Sequence, residues 1–501
     1  MRFRFWFPLV IGAIVFLLYS CDQSQKDERL ARHACASCHL FPDPNLLDKK
    51  TWEGGVFPQM AFRMGLDYSA LSQISDADQV EVTKTLPPNA MVSVEEWAAI
   101  KRFYLDKAPD TLHTEVQTIS AHQTQFEPEP RVFGGFPLST FVTRDTFENK
   151  IYVGSRLNKL YRLNDNLLPE DSFELPSPPS HILFTKPDPV VSLMGIMDPN
   201  DQAKGELAIL KMNGKSGSPI IDSLKRPVHF ELNDLNKDGF DDFVVCAFGN
   251  YSGALLAFKG IGNGKYERLF LQNLPGARRV IVKDFDGNGM DDILALMTQG
   301  DERIILLLNQ GNFNFRISTL LRFPPVYGSS YFDVADFNND GKFDILYTNG
   351  DNADYSMIRK PYHGVRIFLN SGSNDFQESW FFNMHGATQA AAQDFDNDGD
   401  LDIAAISFFP DFLKHPEQGF MYFENKDGKF IPQITDIASK GRWLTMEATD
   451  IDKDGDCDLI LAALNFNDGV PAGLLDQWKK ERTSILVLRN KLYSLKNNYQ
   501  D

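Results

Sequence analysis

Short apolar runs alternate with acidic turns through about two thirds of the chain. The clearest turn, residues 394–402, reads DFDNDGDLD and precedes the apolar run IAAI at 403–406. The runs after other turns, such as FVVC at 243–246 and LIL at 459–461, are equally short and rich in β-branched or large side chains. Short apolar runs bounded by turns are typical of strands that are buried on both faces. The pattern therefore predicts pairs of strands joined by acidic turns.

Five of these turns share one nine-residue pattern and are called the acidic loops. Carboxylate or amide side chains occupy positions 1, 3, 5 and 9, and glycine occupies position 6. Hard oxygen ligands at this spacing suit Ca2+, and the backbone carbonyl at position 7 adds a further ligand. The candidate ligands, for about five Ca2+ ions, are Asp234, Asn236, Asp238, Phe240, Asp242, Asp284, Asp286, Asn288, Met290, Asp292, Asp336, Asn338, Asp340, Lys342, Asp344, Asp394, Asp396, Asp398, Asp400, Asp402, Asp450, Asp452, Asp454, Asp456 and Asp458.

The acidic loops differ from EF-hand loops, which place a bidentate glutamate at position 12 and a helix on each side. Position 12 of the acidic loops carries Val245, Ala295, Tyr347, Ala405 and Leu461. The loops recur at intervals of 50 to 58 residues, a period typical of the four-stranded blades of a β-propeller. Two earlier strand-rich units lack the acidic pattern. The sequence therefore predicts an all-β propeller of seven blades, with six or eight left open.

The repeats resemble the FG-GAP or VCBS repeats of integrin-like propellers. Phe248-Gly249 followed by Gly253-Ala254 matches the dipeptides that give the family its name, and the DxDxDG pattern resembles its cation-binding loop. The resemblance implies that each acidic loop joins the first two strands of a blade. It is specific for the repeat and indicates no particular function.

The first 21 residues resemble the signal peptide of a bacterial lipoprotein. Arg2 and Arg4 precede the apolar run 5–18, and LYSC at 18–21 closes it in the manner of a lipobox. The run is short for a membrane-spanning helix, although an uncleaved anchor remains an alternative. The resemblance implies that Cys21 is lipidated. The expected location is the bacterial cell envelope, as a periplasmic or outer-surface lipoprotein anchored to a membrane.

A second chemical motif follows at 35–39, which reads CASCH. Two thiols at this spacing reach both vinyl groups of haem c, and the adjacent histidine reaches the iron. A redox disulfide or half a zinc site would also use two such cysteines, but no second cysteine pair lies nearby. The motif therefore predicts one covalent haem held by Cys35, Cys38 and His39.

The surrounding residues 22–109 resemble a small all-α class I cytochrome c domain. Residues 26–34 are expected to form its first helix, and SVEE at 93–96 is a capping box that opens its last helix. The resemblance implies a methionine as the second axial ligand. Met60 is the first candidate, and Met64 and Met91 are the alternatives.

The rest of the chain divides by composition. Residues 110–130 are polar and proline-rich and are predicted to be a linker, residues 131–492 the propeller, and residues 493–501 a polar tail. The net charge is −18, but positions 1, 3, 5 and 9 of the acidic loops alone hold 17 carboxylates. Most of the negative charge is therefore explained by the candidate Ca2+ sites. A negatively charged protein also argues against a nucleic-acid partner.

Long connections on the propeller face opposite the acidic loops suggest a ligand-binding mouth. The longest span 349–364, 408–419 and 465–482, and long loops on rigid scaffolds commonly carry binding sites. Segments that lead into the innermost strands bring further side chains to this mouth, namely His229, Arg278, Arg279, Tyr327, His385, Arg442 and Trp443. The candidates for catalysis there are His363, His385 and Arg442.

The favoured interpretation is a membrane-anchored electron-transfer protein. Its haem would exchange electrons with a redox protein partner, and its propeller would be a docking platform or would bind a ligand such as a glycan or a protein. In the alternative, the mouth is the active site of an oxidoreductase that passes electrons from a sugar or alcohol to the haem. A third interpretation is a surface adhesion protein, which leaves the haem unexplained.

Overall fold

The computed structural model describes residues 23–114, 117–211, 215–351 and 356–492. The expected signal peptide with Cys21, and the tail 493–501, lie outside the described residues. The chain divides into two compact units. The small helical unit comprises the described residues up to His113 together with Pro324–Val326 and Ser356, and the large β unit comprises the other described residues from Thr114 onwards. No helix in the described part of the chain has both the length and the apolar character needed to cross a membrane.

The described part of the helical unit contains five α-helices. Helix α1 spans residues 23–35. The remaining helices are α2 (Lys49–Thr51), α3 (Phe57–Arg63), α4 (Asp76–Thr83) and α5 (Val94–Lys107), with a π-helical turn (Trp52–Val56) between α2 and α3 and 3-10 turns at Pro44–Leu46 and Ser69–Gln73.

The start of α5 confirms the predicted capping box. The backbone N–H of Glu96 donates to Ser93 Oγ at 3.1 Å, and the N–H of Ser93 donates to the Glu96 carboxylate at 2.7 Å. These bonds satisfy donors that the first turn of a helix leaves unpaired. The helix buries Ile100, Phe103 and Tyr104, so a local sequence signal fixes where this apolar face begins.

In its described residues the β unit contains 28 strands, numbered in chain order. The seven innermost are β2 (Ser139–Asp145), β6 (Pro179–Leu183), β10 (Pro227–Asn233), β14 (Ala277–Lys283), β18 (Ser329–Ala335), β22 (Ala387–Gln393) and β26 (Trp443–Thr449). The second strands are β3 (Lys150–Ser155), β7 (Val190–Leu193), β11 (Asp242–Ala247), β15 (Asp292–Met297), β19 (Asp344–Asn349), β23 (Asp402–Ser407) and β27 (Asp458–Ala463). The third strands are β4 (Lys159–Leu163), β8 (Gly205–Lys211), β12 (Ala254–Gly260), β16 (Arg303–Asn309), β20 (Gly364–Asn370), β24 (Phe420–Lys426) and β28 (Ile485–Asn490). The outermost are β1 (Phe126–Arg131), β5 (Pro169–Glu174), β9 (Lys215–Leu224), β13 (Tyr266–Gln272), β17 (Phe315–Arg322), β21 (Phe376–Asn383) and β25 (Lys429–Ile434).

These strands form seven four-stranded antiparallel sheets, which are the blades of a β-propeller. The innermost strand of each blade packs against the innermost strand of the next, and β26 packs against β2 to close the ring. The second strands after all five acidic loops are buried along their whole length. The seven-bladed propeller expected from the repeat period is confirmed. One further helix, α6 (Ala472–Glu481), lies in the connection between β27 and β28.

Strand β1 completes the last blade, because it pairs antiparallel with β28 beside β27 and β26. Residues 126–130, which the sequence assigned to the linker, therefore belong to the propeller. The N-terminal end of the β unit thus joins its C-terminal blade, so that no blade edge is left open at the closure. Phe126 anchors the pairing, with its ring 5.3 Å from that of Phe395 and 5.4 Å from that of Tyr422.

Replacing Phe126 by a smaller side chain should destabilise the closure of the propeller ring. We expect Phe126→Leu to lower the free energy of unfolding by about 1–2 kcal/mol, because Phe126 is buried and loses ring contacts. Urea unfolding followed by circular dichroism would measure the change. The control is Val132→Ala, just after β1, where the side chain is 49% exposed and the change should be within about 0.5 kcal/mol. Equal stabilities of the two variants would contradict the role of β1.

Candidate functional sites

The acidic loops join the first and second strands of five consecutive blades, as the resemblance to FG-GAP repeats implied. The position-6 glycines have φ between +81° and +101°, which is a left-handed conformation that favours glycine. Their N–H groups donate to the position-1 carboxylates, as Gly289 does to Asp284 at 2.8 Å. The residue at position 4 also has positive φ in all five loops. Two left-handed residues thus fold each loop around its carboxylates.

Three loops bring carboxylate oxygens within 4.8 Å of one another, close enough to share one metal ion. These clusters are Asp284, Asp286 and Asp292; Asp394, Asp396 and Asp398; and Asp450, Asp452 and Asp454. The other two loops carry an amide at position 3, and Asn236 donates to Asp238 at 2.8 Å. The amide oxygen remains a hard ligand of the kind that Ca2+ prefers.

The position-9 aspartates have a structural role that spacing alone does not reveal. Asp402 is fully buried and accepts N–H groups from Phe395 at 3.2 Å and Asn425 at 2.7 Å, and the Tyr422 hydroxyl at 2.7 Å. In every acidic loop the position-9 carboxylate accepts the N–H of position 2 and an N–H at the end of the third strand. Each therefore ties its loop to its own blade.

Asparagines at the ends of the third strands link neighbouring blades at the same face. Asn309 donates through Nδ2 to the Leu235 carbonyl, which lies in the acidic loop of the preceding blade, at 2.8 Å. Asn490 does the same to the Phe395 carbonyl at 2.8 Å. When one acidic loop is ordered, the carbonyl at its position 2 is therefore also placed to accept a hydrogen bond from the next blade.

The CASCH motif lies at the end of α1. Cys35 is half-buried and Cys38 is exposed, and both thiols are free. Burial raises the pKa of the Cys35 thiol, and a hydrogen bond with Tyr104 partly offsets this rise. The Tyr104 hydroxyl also lies 2.9 Å from the Pro42 carbonyl, to which it donates. His39 follows, half-buried, with Nδ1 2.9 Å from the Leu40 carbonyl.

The candidate methionines of the helical unit lie in two segments. Met60 is on α3, and Met64, the C-cap of that helix, is one turn further; both are half-buried. Met91 is 47% exposed, and its N–H donates to the Met64 carbonyl at 3.0 Å. Met64 and Met91 are therefore neighbours in space, although 27 residues separate them in sequence.

The centre of the propeller contains a polar cavity of about 470 Å³. Every innermost strand has a β-bulge after its first residues. A bulge turns two successive side chains to one side of a strand. Six of the seven strands place such a pair against the cavity, namely Thr140 and Phe141, Ser180 and His181, Val228 and His229, Arg278 and Arg279, Thr388 and Gln389, and Leu444 and Thr445.

Acidic side chains line the cavity next to the bulge pairs, and their charge is opposite to that of Arg278 and Arg279. Asp333 and Glu447 lie two positions beyond the bulge pairs, and Asp333 is 3.8 Å from the Arg279 guanidinium. Burial raises the pKa of Glu447 to about 7, and burial likewise raises that of Glu231 to about 7. The Arg279 charge opposes both shifts without cancelling them.

The raised pKa values of Glu231 and Glu447 predict a pH-dependent stability. Both folded-state values lie above the ordinary value of 4.5, so the stabilisation is complete below about pH 4.5 and is lost as the pH rises through about 7. We expect each carboxyl to reduce the free energy of unfolding by about 2–3 kcal/mol between pH 5 and pH 8. Urea unfolding at several pH values would measure the loss.

Glu447→Gln should remove about half of this pH dependence, because the amide does not ionise. The matched control is Glu267→Gln on the outermost strand β13, where the side chain is exposed and the pH dependence should be that of the unmodified protein. A slope unchanged in Glu447→Gln would contradict the assignment.

The residues that the sequence placed at the mouth lie in different surroundings in the structure. His229, Arg278 and Arg279 line the central cavity, as predicted. His363 and Arg442, by contrast, are fully buried, which leaves them unable to meet a substrate in this conformation. His385 is partly buried, with its ring stacked 5.8 Å from that of His363.

The surroundings of Arg442 indicate a structural role. Its guanidinium carbon lies 3.8–5.4 Å from the centres of four rings, which are those of Phe408, Phe409, Phe412 and Phe466. Its Nε donates to the Phe408 carbonyl at 2.8 Å and Nη1 to the Asp468 carbonyl at 3.0 Å. The burial lowers the pKa of Arg442 to about 9. This cation holds the connections 408–419 and 465–482 together.

Sequence reasoning missed Arg226, His181, Asp333 and Glu447 as cavity residues. A signal was present in the four blades from β14 to β26 and in β10, because the second bulge residue always lies five positions before its acidic loop. Counting back five positions from each loop gives His229, Arg279, Tyr331, Gln389 and Thr445. Counting back three gives Asp333 and Glu447 among others. Arg226 and His181 have no such marker.

Taken together, the fold and its loops define a seven-bladed β-propeller with five acidic loops on one face. Residues 284–347, which begin with the second acidic loop and end in β19, match the model of the FG-GAP-like repeat family. Among solved structures, the chain is similar to the N-terminal domain of Nup159 (TM-score 0.43, 11% identity, covering 75% of this chain and 98% of that chain). It is also similar to the Pan2 WD40 domain of Neurospora crassa (TM-score 0.43, 10% identity, covering 70% and 89%). No curated protein matches the chain.

Proposed function

We propose that the chain is an exported, membrane-anchored c-type cytochrome whose Ca2+-binding propeller serves as a docking or ligand-binding platform. The observation that carries the proposal is the CASCH motif at the end of α1, with two free thiols followed at once by a histidine. Two thiols at this spacing, followed by a histidine, suit thioether attachment of haem c.

The residues around the motif fit such a group. The rings of Phe41, Trp52, Phe57 and Tyr104 form a connected cluster with centroid separations of 4.4–6.2 Å, and a porphyrin needs apolar walls of this kind. His39 would be one axial ligand, and Met60, with Met64 and Met91 as alternatives, the other. When bound, haem c supplies an iron centre that accepts and releases one electron.

The packing of α1 against α5 also supports the proposal. The Arg102 guanidinium contacts Asp27 at 3.1 Å, and Tyr104 contacts Cys35. A last helix that packs on the first is what the resemblance to class I cytochromes c implies for this unit.

The propeller part of the proposal rests on the acidic loops and the repeat match. Filled with Ca2+, the loops would stiffen one face, because their position-9 aspartates and the bridging asparagines connect loops, blades and neighbouring blades. The propeller would bind a redox protein partner, or a glycan or protein ligand, through the face opposite the acidic loops. The expected signal peptide and lipid at Cys21 would place the protein in the bacterial cell envelope.

Absorption spectroscopy of the full-length protein, purified from an exporting bacterium, tests this function. We expect a Soret band, and we expect a small reduced redox protein to reduce the haem. Sugars, alcohols and cell-wall fragments added alone should leave the oxidised spectrum unchanged. A protein without a Soret band would overturn the electron-transfer function, and reduction by one of these substrates alone would establish the oxidoreductase alternative.

A further inference from the structure

More positively than negatively charged side chains line the propeller cavity. Arg226, Arg278 and Arg279 all line the cavity. Arg279 has Asp333 at 3.8 Å. Asp198 and Asp201 interact electrostatically with Arg226, and Asp351 with Arg278, but burial outweighs these charges and lowers the pKa of both arginines. The cavity lining itself sets only two carboxyl side chains, those of Asp333 and Glu447, against the three arginines.

These arginines are held in place through backbone carbonyls rather than through carboxylates. Arg226 donates through Nη1 to the Gly249 carbonyl at 2.6 Å, and Arg278 donates through Nε to the Ser330 carbonyl at 3.1 Å. The Nε of Arg226 is buried and has no hydrogen-bond partner among the described residues. Burial, with the charge of Arg278, lowers the pKa of Arg226 to about 10. A buried cation whose charge is only partly compensated is unfavourable, so an incoming anion would find oriented donors.

Two histidines add neutral polar groups beside the arginines. The rings of His181 and His229 stack with centroids 4.4 Å apart, and His181 Nε2 and His229 Nδ1 are buried without hydrogen-bond partners among the described residues. Burial lowers the pKa of His181 to about 3 and lowers that of His229 well below its ordinary value. Both are therefore uncharged at neutral pH, and their ring nitrogens are available to a polar ligand.

The carboxylates further along the cavity restrict which anion fits. Asp333 and Glu447 lie in the next ring of side chains, where a second negative group would be repelled and where hydroxyl groups would find acceptors. The Tyr331 ring, covered on one side by the Arg279 guanidinium at 4.3 Å, also lines the cavity. A volume of about 470 Å³ lies in the range of small-molecule sites.

From this arrangement we infer that the propeller cavity binds a monoanionic sugar of the uronic acid class. Its carboxylate lies between Arg226 and Arg278, beside the two neutral histidines, and its hydroxyl groups donate to Asp333 and Glu447. The inference rests on the proposed ligand-binding function of the propeller and specifies its ligand and its location. The binding face is the one opposite the acidic loops, since the bulge pairs lie at the start of the innermost strands and the acidic loops follow their ends.

Isothermal titration calorimetry of the full-length protein, saturated with Ca2+, tests the inference with D-glucuronate, D-glucose and inorganic phosphate as probes. We expect glucuronate to bind at least tenfold more tightly than glucose, which lacks the carboxylate, and than phosphate, which lacks the hydroxylated ring. Glucose binding as tightly as glucuronate would overturn the arginine site. Phosphate binding as tightly would overturn the assignment to a sugar.

Two variants locate the site. Arg278→Gln should weaken glucuronate binding at least tenfold, whereas Arg316→Gln on the outermost strand β17, where the side chain is exposed, should bind as the unmodified protein does. Unchanged affinity in Arg278→Gln would overturn the inference. Arg278→Lys retains the charge but loses the planar pair of donors, and it should weaken binding about threefold to tenfold.

A second measurement keeps the test decisive if Arg278→Gln fails to fold. Glucuronate should raise the melting temperature of the unmodified protein, and equal concentrations of glucose should not; no shift with glucuronate would overturn the inference. The Soret band separates this result from the proposed function. If the protein has a Soret band but does not bind glucuronate, only the sugar site is contradicted. If the protein binds glucuronate but has no Soret band, only the electron-transfer function is contradicted.

Discussion

Removing Ca2+ should lower the melting temperature of the propeller by about 3–10 °C. Five sites with dissociation constants of about 10⁻⁴ to 10⁻³ M, typical of extracellular Ca2+ modules, would together contribute about 2–7 kcal/mol at about 1 mM Ca2+. An unfolding entropy of about 2 cal/mol/K per residue converts this free energy into the stated shift. Without the ion, carboxylates held within 4.8 Å of one another repel. Thermal unfolding followed by circular dichroism, with 1 mM Ca2+ (about the extracellular level) and with a chelator, measures the shift.

Two substitutions in one loop separate metal binding from a general effect of charge. Asp396 at position 3 offers its side chain, whereas Asp400 at position 7 is expected to offer only its backbone carbonyl. Both Asp396→Ala and Asp400→Ala remove one negative charge, but only Asp396→Ala should lower the number of Ca2+ ions bound by one in calorimetric titration. Equal losses in the two variants, or a melting temperature that the chelator leaves unchanged, would contradict the proposed sites.

Local signals sufficed to predict the acidic loops and the strands around them. Glycine at position 6 needs the left-handed backbone that the structure shows, and the apolar runs after the loops are buried on both faces because each blade is covered by its neighbours. The spacing of the loops then gave the blade count, since each repeat is one blade. Nothing in these signals required contacts between distant parts of the chain.

The closure of the ring could not be predicted in this way. Strand β1 contains Pro128 and Pro130 and no apolar run, because it is an outermost strand with a partner on one side only, where missing N–H groups are tolerated. It pairs with residues 485–490, more than 350 positions later. Pairing over such a separation is decided by which edge remains free after the other blades have formed.

The burial of side chains in and beside the long connections could not be predicted from the sequence either. His363, in a long connection, and Arg442, just before β26, were both expected at an accessible mouth, but packing against other loops buries them. Four phenylalanines from two connections enclose Arg442. The cavity residues lie at a fixed distance from the acidic loops, yet the bulges that turn two successive side chains inward become evident only in the strand register.

Replacing the CASCH cysteines should abolish the covalent haem. We expect Cys35→Ser and Cys38→Ser together to remove the Soret band from the denatured, acid-extracted protein, because neither thioether can form. The matched control is Cys457→Ser, since Cys457 is also a free, half-buried thiol but lies in an acidic loop of the propeller; its Soret absorbance should equal that of the unmodified protein. Haem that survives acid extraction in the double variant would contradict the assignment.

The second axial ligand is the remaining part of this prediction. Met60→His should lower the reduction potential, because methionine raises the potential relative to a second histidine. Met64→His is the matched control, since Met64 lies one turn further along the same helical segment and both side chains are half-buried. A potential that falls in Met64→His but not in Met60→His would transfer the role to Met64. If neither variant changes the potential, Met91, whose backbone already contacts Met64, becomes the ligand to test by the same substitution in a redox titration.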